Sequence, residues 1–274
     1  MKIANGLVLI KFRIVFSLLL ISFFQLTFSN FLIAQERVEE IVGEDKIFST
    51  PFCSATFGWT FPSGEMGKRY SSFMDLNANL GWKTDKNWVF MGEFGFAFGS
   101  DNVKIKDQIL RNIMTTDNDP FVISKEGSDA GVVAYNRNLS FVLKAGKIIP
   151  ISKKHPNSGI MLLAGGGWLQ HQIIYQSTLE IAEQLEGDYA YGYDRQMRGF
   201  MLAGFIGYIH MSKKNFTNFY LGLEFNQAWT KMTREYQFDM RSGDNNIYQD
   251  RMWTVKLGWM FPFYGRDSDK VYYY

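Results

Sequence analysis

Residues 251–264 read Arg-Met-Trp-Thr-Val-Lys-Leu-Gly-Trp-Met-Phe-Pro-Phe-Tyr. Trp253, Val255, Leu257, Trp259, Phe261 and Phe263 fall on one parity, and Met252, Thr254, Lys256, Gly258, Met260 and Pro262 on the other. Side chains alternate across a strand, so this stretch is a strand with a wholly apolar, aromatic face and a second face of small, polar and charged groups. A soluble sheet buries its aromatic face against a second layer. A closed barrel in a membrane points that face outward to lipid and keeps its polar set inside.

The same parity runs upstream. In 73–82, Met74, Leu76, Ala78, Leu80 and Trp82 oppose Asp75, Asn77, Asn79 and Gly81. In 88–98, Trp88, Phe90, Phe94, Phe96 and Phe98 oppose Met91, Glu93, Gly95 and Ala97. In 219–230, Phe219, Leu221, Leu223 and Phe225 oppose Tyr220, Gly222, Glu224 and Asn226. Segments 55–61 and 136–149 follow suit, the latter setting Leu139, Phe141, Leu143 and Ala145 against Asn138, Ser140, Lys144 and Gly146. Segments 160–173 and 200–211 are Gly-rich and apolar on both faces, so their register stays open. The count is eight.

The connections between these segments alternate in length. Thr84 to Asn87, Ser152 to Ser158 and Ser212 to Asn215 are short, whereas Ser100 to Gly131, Tyr175 to Met197 and Tyr236 to Asp250 are long, with Pro62 to Tyr70 the shortest of that group. Short turns at one end and longer loops at the other are the pattern of outer-membrane barrels, with the turns in the periplasm. The expected fold is therefore all-β: an eight-stranded antiparallel transmembrane β-barrel, up-and-down, in the cell outer membrane of a Gram-negative bacterium. Trp59, Trp168, Trp229 and Trp253 fall toward the loop ends of their strands and Trp82, Trp88 and Trp259 toward the turn ends. Two indole belts at headgroup level are expected from that sorting.

Composition agrees. The 274 residues include 25 Phe, 14 Tyr, 7 Trp and 25 Gly, and the formal charge of +2 leaves no nucleic-acid footprint. The lone Cys53 excludes an intramolecular disulfide and a Cys-cluster metal site. Lys2, Lys11 and Arg13 precede an apolar stretch from Ile14 to Leu26, followed by a run to Ala34, the layout of a secretory signal peptide. Its length also fits a retained anchor. Expected organisation is a signal peptide over 1–34, a periplasmic lead-in over 35–52, the barrel over 53–264 and a periplasmic tail over 265–274.

Lys256, Gly258, Phe261 and Phe263 resemble the terminal-strand assembly signal of outer-membrane barrels, although the chain runs on beyond it to Tyr274. That resemblance implies the barrel assembly machinery as a partner. The segment 53–264 as a whole resembles the small outer-membrane β-barrels of the Bacteroidota type, a broad class that includes a subunit of the type IX secretion and gliding apparatus.

An eight-stranded barrel is just wide enough for side chains to fill. Asp75, Glu93, Lys144, Glu224 and Lys256 share the inward parity and form an expected lumen charge network, with Glu93 and Lys144, and Glu224 and Lys256, on adjacent strands. No catalytic, cofactor or metal residues are assigned. His171, with Ser177 and Glu180 beyond it, is at the height for lipid chemistry and keeps a lipid-modifying enzyme as an alternative; a narrow gated channel is another. Asp117-Asn118-Asp119 and Asp244-Asn245-Asn246 offer oxygen ligands but read first as turn formers, and Gly165-Gly166-Gly167 sits inside a strand. Val103, Ile105, Ile109, Leu110 and Ile113 form a helical stripe in the longest loop, and 179–185 is a second short candidate helix in an acidic loop. These loops predict a lid or a docking surface. The expected function is a non-enzymatic outer-membrane barrel whose loops or turns dock a protein partner in a surface or secretion assembly, with outer-membrane lipid and lipopolysaccharide around it.

Overall fold

The computed structural model describes residues 47–99, 101–116, 118–212 and 217–263. The expected signal peptide (1–34), most of the lead-in (35–52) and the tail (265–274) lie outside the described residues. Eight strands form one closed antiparallel ring in sequence order: β1 (Thr50–Ser63), β2 (Phe73–Lys83), β3 (Trp88–Phe98), β4 (Val132–Pro150), β5 (Gly159–Ser177), β6 (Met197–His210), β7 (Phe219–Met232) and β8 (Ile247–Pro262). The ring closes between β1 and β8, from Phe52↔Pro262 to Ser63↔Arg251. Closure leaves no strand edge unpaired.

Parity behaves as the sequence requires. Along β8 the odd residues from Arg251 to Phe261 are exposed and the even ones from Asp250 to Met260 buried. The open registers of β5 and β6 resolve with Met161, Leu163, Leu169 and His171, and Met201, Ala203, Phe205 and Ile209, inward. Trp59, Trp82, Trp88, Trp168, Trp229, Trp253 and Trp259 all face outward. Trp168 is the tenth of the nineteen residues of β5, mid-strand by count. It nevertheless lies opposite Phe200, and Phe200 opposite Trp229, both near the loop ends of shorter strands. The β4–β5 pair overshoots the rim, pairing from Val132↔Ser177, which displaces the middle of the strand toward the loop end.

Two boundaries differ from the reading above. β1 begins at Thr50, ahead of Cys53, because Thr50 already pairs with Lys83 and its hydroxyl donates to the Phe263 carbonyl. β4 and β5 each run to nineteen residues, since the chain on either side of them is paired above the rim.

The lumen is layered. At the turn end Phe52, Val89, Met91, Ile148, Met161, Phe205, Ile209 and Met260 belong to one buried apolar cluster. A belt of charge follows. Toward the loop end comes a second apolar cluster that joins Phe73, Leu169, Met201 and Met252 of the wall to Met66, Tyr70, Val103, Ile109, Leu110 and Val122 of the loops. Gly258 is needed in the first of these regions: a Cβ there would stand 2.2 Å from the Tyr220 ring, whose hydroxyl meets Thr56 Oγ1 at 2.6 Å.

Candidate functional site

Four of the five expected lumen charges form one compact network. Lys144 Nζ lies 2.9 Å from Glu93 Oε1 and also contacts Glu224 Oε2. Lys256 Nζ lies 2.7 Å from Glu93 Oε1 and 2.9 Å from Glu224 Oε1. The adjacent-strand pairs read from sequence are both present, but each lysine also reaches the other glutamate across the barrel. The narrow lumen makes that possible: β3 with β4 and β7 with β8 face each other from opposite walls. Two positive and two negative charges cancel, which a buried cluster requires. Asp75 stands apart, accepting from Asn77 Nδ2 at 2.7 Å and Thr60 Oγ1 at 3.2 Å. Gly58 makes room for it, since a Cβ there would sit 1.9 Å from Asp75 Oδ1.

A cavity of about 40 Å³ lies beside this network, lined by Asp75, Asn77, Glu93, Asn226 and Lys256 among others. A water needs roughly 10–15 Å³ of such space, so the chamber has room for a few waters and none for a solute. With apolar layers on both sides of the belt, the described lumen has the form of a plugged wall rather than an open path.

The loop end holds a second cluster that the sequence did not reveal. His171 is 0% exposed. Its Nε2 lies 3.1 Å from Asp250 Oδ2 and its Nδ1 3.2 Å from the Tyr70 hydroxyl. Thr230 Oγ1 donates to the same Asp250 oxygen, and Arg69 Nη1 is 3.9 Å from Oδ1. Burial pushes the Tyr70 phenol well above its ordinary range, so Tyr70 keeps its proton beside His171. An ionised Asp250 can only accept, so His171 donates to it from Nε2–H. Asp250 read as the end of a loop; its shared parity with Met252, Thr254 and Lys256 was the available signal.

This geometry corrects the placement of His171 at a lipid-accessible rim. Its side chain points inward under the loops, while Ser177 lies six residues along the strand and its hydroxyl accepts from Ala182 N. Glu180 instead accepts from Ser124 and Ser128. The alternative of a lipid-modifying enzyme built on these three residues therefore has no assembled site among the described residues. Asp244 is a turn former, accepting from Asn246 N at 2.8 Å and from the Tyr248 hydroxyl.

The expected helical stripe is a lid. Helix α1 (Gly64–Arg69) and helix α2 (Lys106–Leu110), with a 3-10 turn at Arg111–Ile113, fold over the mouth. Val103, Ile109 and Leu110 are buried beneath, so the stripe is not a free docking face. Lys104 N donates to Arg69 O and Ser71 N to Asn102 O, tying the two loops together. The second candidate helix reduces to a 3-10 turn at Glu183–Leu185, with Leu179 and Ile181 left outside.

Above the lid the remaining loops are joined by two seams. Lys125 N donates to Ile181 O, and Ser124 and Ser128 hold Glu180. In the other seam Arg234 pairs with Asp194, Arg195 with Asp239, and Phe238 N donates to Gly192 O. Arg234 lies 4.2 Å over the Tyr191 ring. Tyr189, Tyr191 and Tyr236 stay exposed on this joined surface.

The assembly-signal positions divide by parity: Lys256 and Gly258 serve the lumen, Phe261 faces outward, and Phe263 N donates to Pro51 O at the closing seam.

No protein-family model matches the chain, and no curated protein matches its sequence. Among solved structures it is similar to the attachment invasion locus protein Ail of Yersinia pestis, crystallised with the heparin analogue sucrose octasulfate, at 8% identity and a TM-score of 0.43, over 78% of this chain and 99% of that one. Neisserial surface protein A is similar at 9% identity and 0.43, over 78% and 99%. OprG of Pseudomonas aeruginosa is similar at 11% identity and 0.34, over 80% and 98%. The closed ring with its exposed aromatic face carries the assignment by itself: the chain is an outer-membrane β-barrel.

Proposed function

We propose that this barrel is a non-enzymatic docking protein, whose loop end presents a preformed platform to a protein partner in a surface or secretion assembly. The carrying observation is the pair of loop seams. They hold four segments of backbone in place while leaving Tyr189 (65% exposed), Tyr191, Tyr236, Leu179 and Ile181 outside. Exposed tyrosines on a fixed backbone bind with little ordering cost. The sealed His171 cluster and the plugged lumen give no comparable support to an enzyme or a channel.

The same reading takes residues 1–34 as an export signal, 35–52 as a lead-in and 265–274 as a tail. It also assigns delivery to the membrane to the barrel assembly machinery, through Lys256, Gly258, Phe261 and Phe263.

The test is site-specific photo-crosslinking in living cells. A photoreactive residue at Tyr189 or Tyr191 is expected to yield one discrete adduct, and the same residue at Leu80 on the lipid face none. The adduct from position 189 should vanish when Tyr191 and Tyr236 are both changed to Ser. Absence of any adduct at all five platform positions, with the barrel assembled, would remove the docking reading.

A further inference from the structure

Charge on the barrel wall is sorted by sign. All four strand carboxylates, Asp75, Glu93, Glu224 and Asp250, point inward and are buried. The charged strand side chains that point outward are Arg137, Lys147, Arg198, Lys231 and Arg251, every one basic. All but Lys147 stand toward the loop end of their strands. An outward cation is costly near the bilayer midplane and nearly free at the interface, so these positions mark the height of the headgroups on that side.

Two of them are placed against simple electrostatics. Arg198 and Lys231 are directly opposite each other across β6 and β7. Like charges in that position repel. Among the described residues neither has an acidic partner: Arg198 donates from Nε to Gln170 Oε1 at 2.7 Å, which leaves its terminal N–H groups free. Arg251 is held the same way, Nε to Gln227 Oε1 at 2.8 Å. A neighbouring-strand glutamine thus fixes each arginine while adding no charge. One step toward the membrane, Phe200 stacks on Trp229 at 6.4 Å and Trp168 stands opposite Phe200. Indoles settle at headgroup level, so the cation pair lies where lipid phosphates lie.

We infer that Arg198 and Lys231 form a binding site for a phosphate of the outer-leaflet lipopolysaccharide. A guanidinium fork and an ammonium from facing strands converge on one anion, which removes their mutual repulsion. The loop end faces the outer leaflet when the long loops are outside, and there the phosphate-bearing lipid is lipopolysaccharide. The inference rests on membrane location and not on the docking platform.

Native mass spectrometry of the detergent-solubilised mature barrel tests it, with bis-phosphorylated lipid A, its dephosphorylated form and phosphatidylglycerol as probes. Lipid A is expected to stay bound, and the Arg198→Gln/Lys231→Gln variant to retain it at least tenfold less. Lys231→Glu, which gives Arg198 an acidic partner, should lose it equally, and Lys147→Gln should match the parent chain. Assembly of each variant is checked by its unheated gel mobility. Equal retention by the double variant, equal binding of the dephosphorylated form, or equal binding of phosphatidylglycerol would each overturn the assignment.

Discussion

Lys144 and Lys256 each touch both Glu93 and Glu224, so the centre of the lumen is a square of two cations and two anions. Such a cluster is stable only while it is balanced. Changing Lys256 to Met leaves one buried negative charge in excess and is expected to destabilise the barrel by about 3–5 kcal/mol, read from the urea midpoint of the compact, unheated gel species. Adding Glu224→Gln restores neutrality and should recover a large part of that loss; a double variant no better than the single one would show that packing, not charge balance, sets the cost. These pairs were legible because parity put both members inside and neighbouring strands carried them. The cross-barrel contacts were not, since no local pattern reports the width of a lumen. The same limit hid His171–Asp250–Tyr70: its members come from β5, β8 and the first loop, and only the ring closure brings them together.

The loops show where alternation stops being informative. A stripe of Val103, Ile109 and Leu110 predicts a helix face, but only packing decides whether that face covers the mouth or greets a partner. Here it covers the mouth, because Met66, Tyr70 and the upper wall offer apolar surface at the distance the loop can span. The seams above it depend on charge. Hydroxyls of Ser128 and Ser124 donate to Glu180 and hold its carboxyl below the ordinary glutamate range. A depressed carboxyl contributes stability that is complete above the ordinary value, ~4.3, and is lost as pH falls through the lower folded value. Amides of 179–186 are therefore expected to lose exchange protection in acid, after correction for intrinsic rates, and Glu180→Gln should show the loss already at neutral pH. The Arg234–Asp194 seam serves as the internal comparison. If protection of 179–186 in Glu180→Gln matches the parent chain at neutral pH, the serine clasp does not hold this seam.

At the scale of the molecule, the eight strands and the inward faces of all but β5 and β6 followed from a period of two and from loop lengths that alternate, while the Gly-rich, doubly apolar β5 and β6 and the closing pair required the ring itself. Closure aligns Cys53 of β1 with Phe261 of β8, 208 residues apart in sequence. Both lie on the outward face, and directly opposed residues of an antiparallel pair have Cα atoms about 4.5–5.5 Å apart. That is within the roughly 4.4–6.8 Å a disulfide tolerates. Because Cys53 is the only cysteine, Phe261→Cys creates a single pair without altering any other thiol. Oxidation of this variant in the assembled barrel is expected to link the first strand to the last. Heated without reductant it should migrate faster than when reduced, since the linked chain cannot extend fully. Met260→Cys supplies the control: it faces the lumen opposite Ser54, so Cys53 and Cys at that position point to opposite sides of the wall. A one-residue slip that set Cys53 opposite Met260 would reverse the two outcomes, and the opposite slip would link neither. An open sheet would link neither, and a heated mobility that reductant does not change in the Phe261→Cys protein would therefore refute closure in this register.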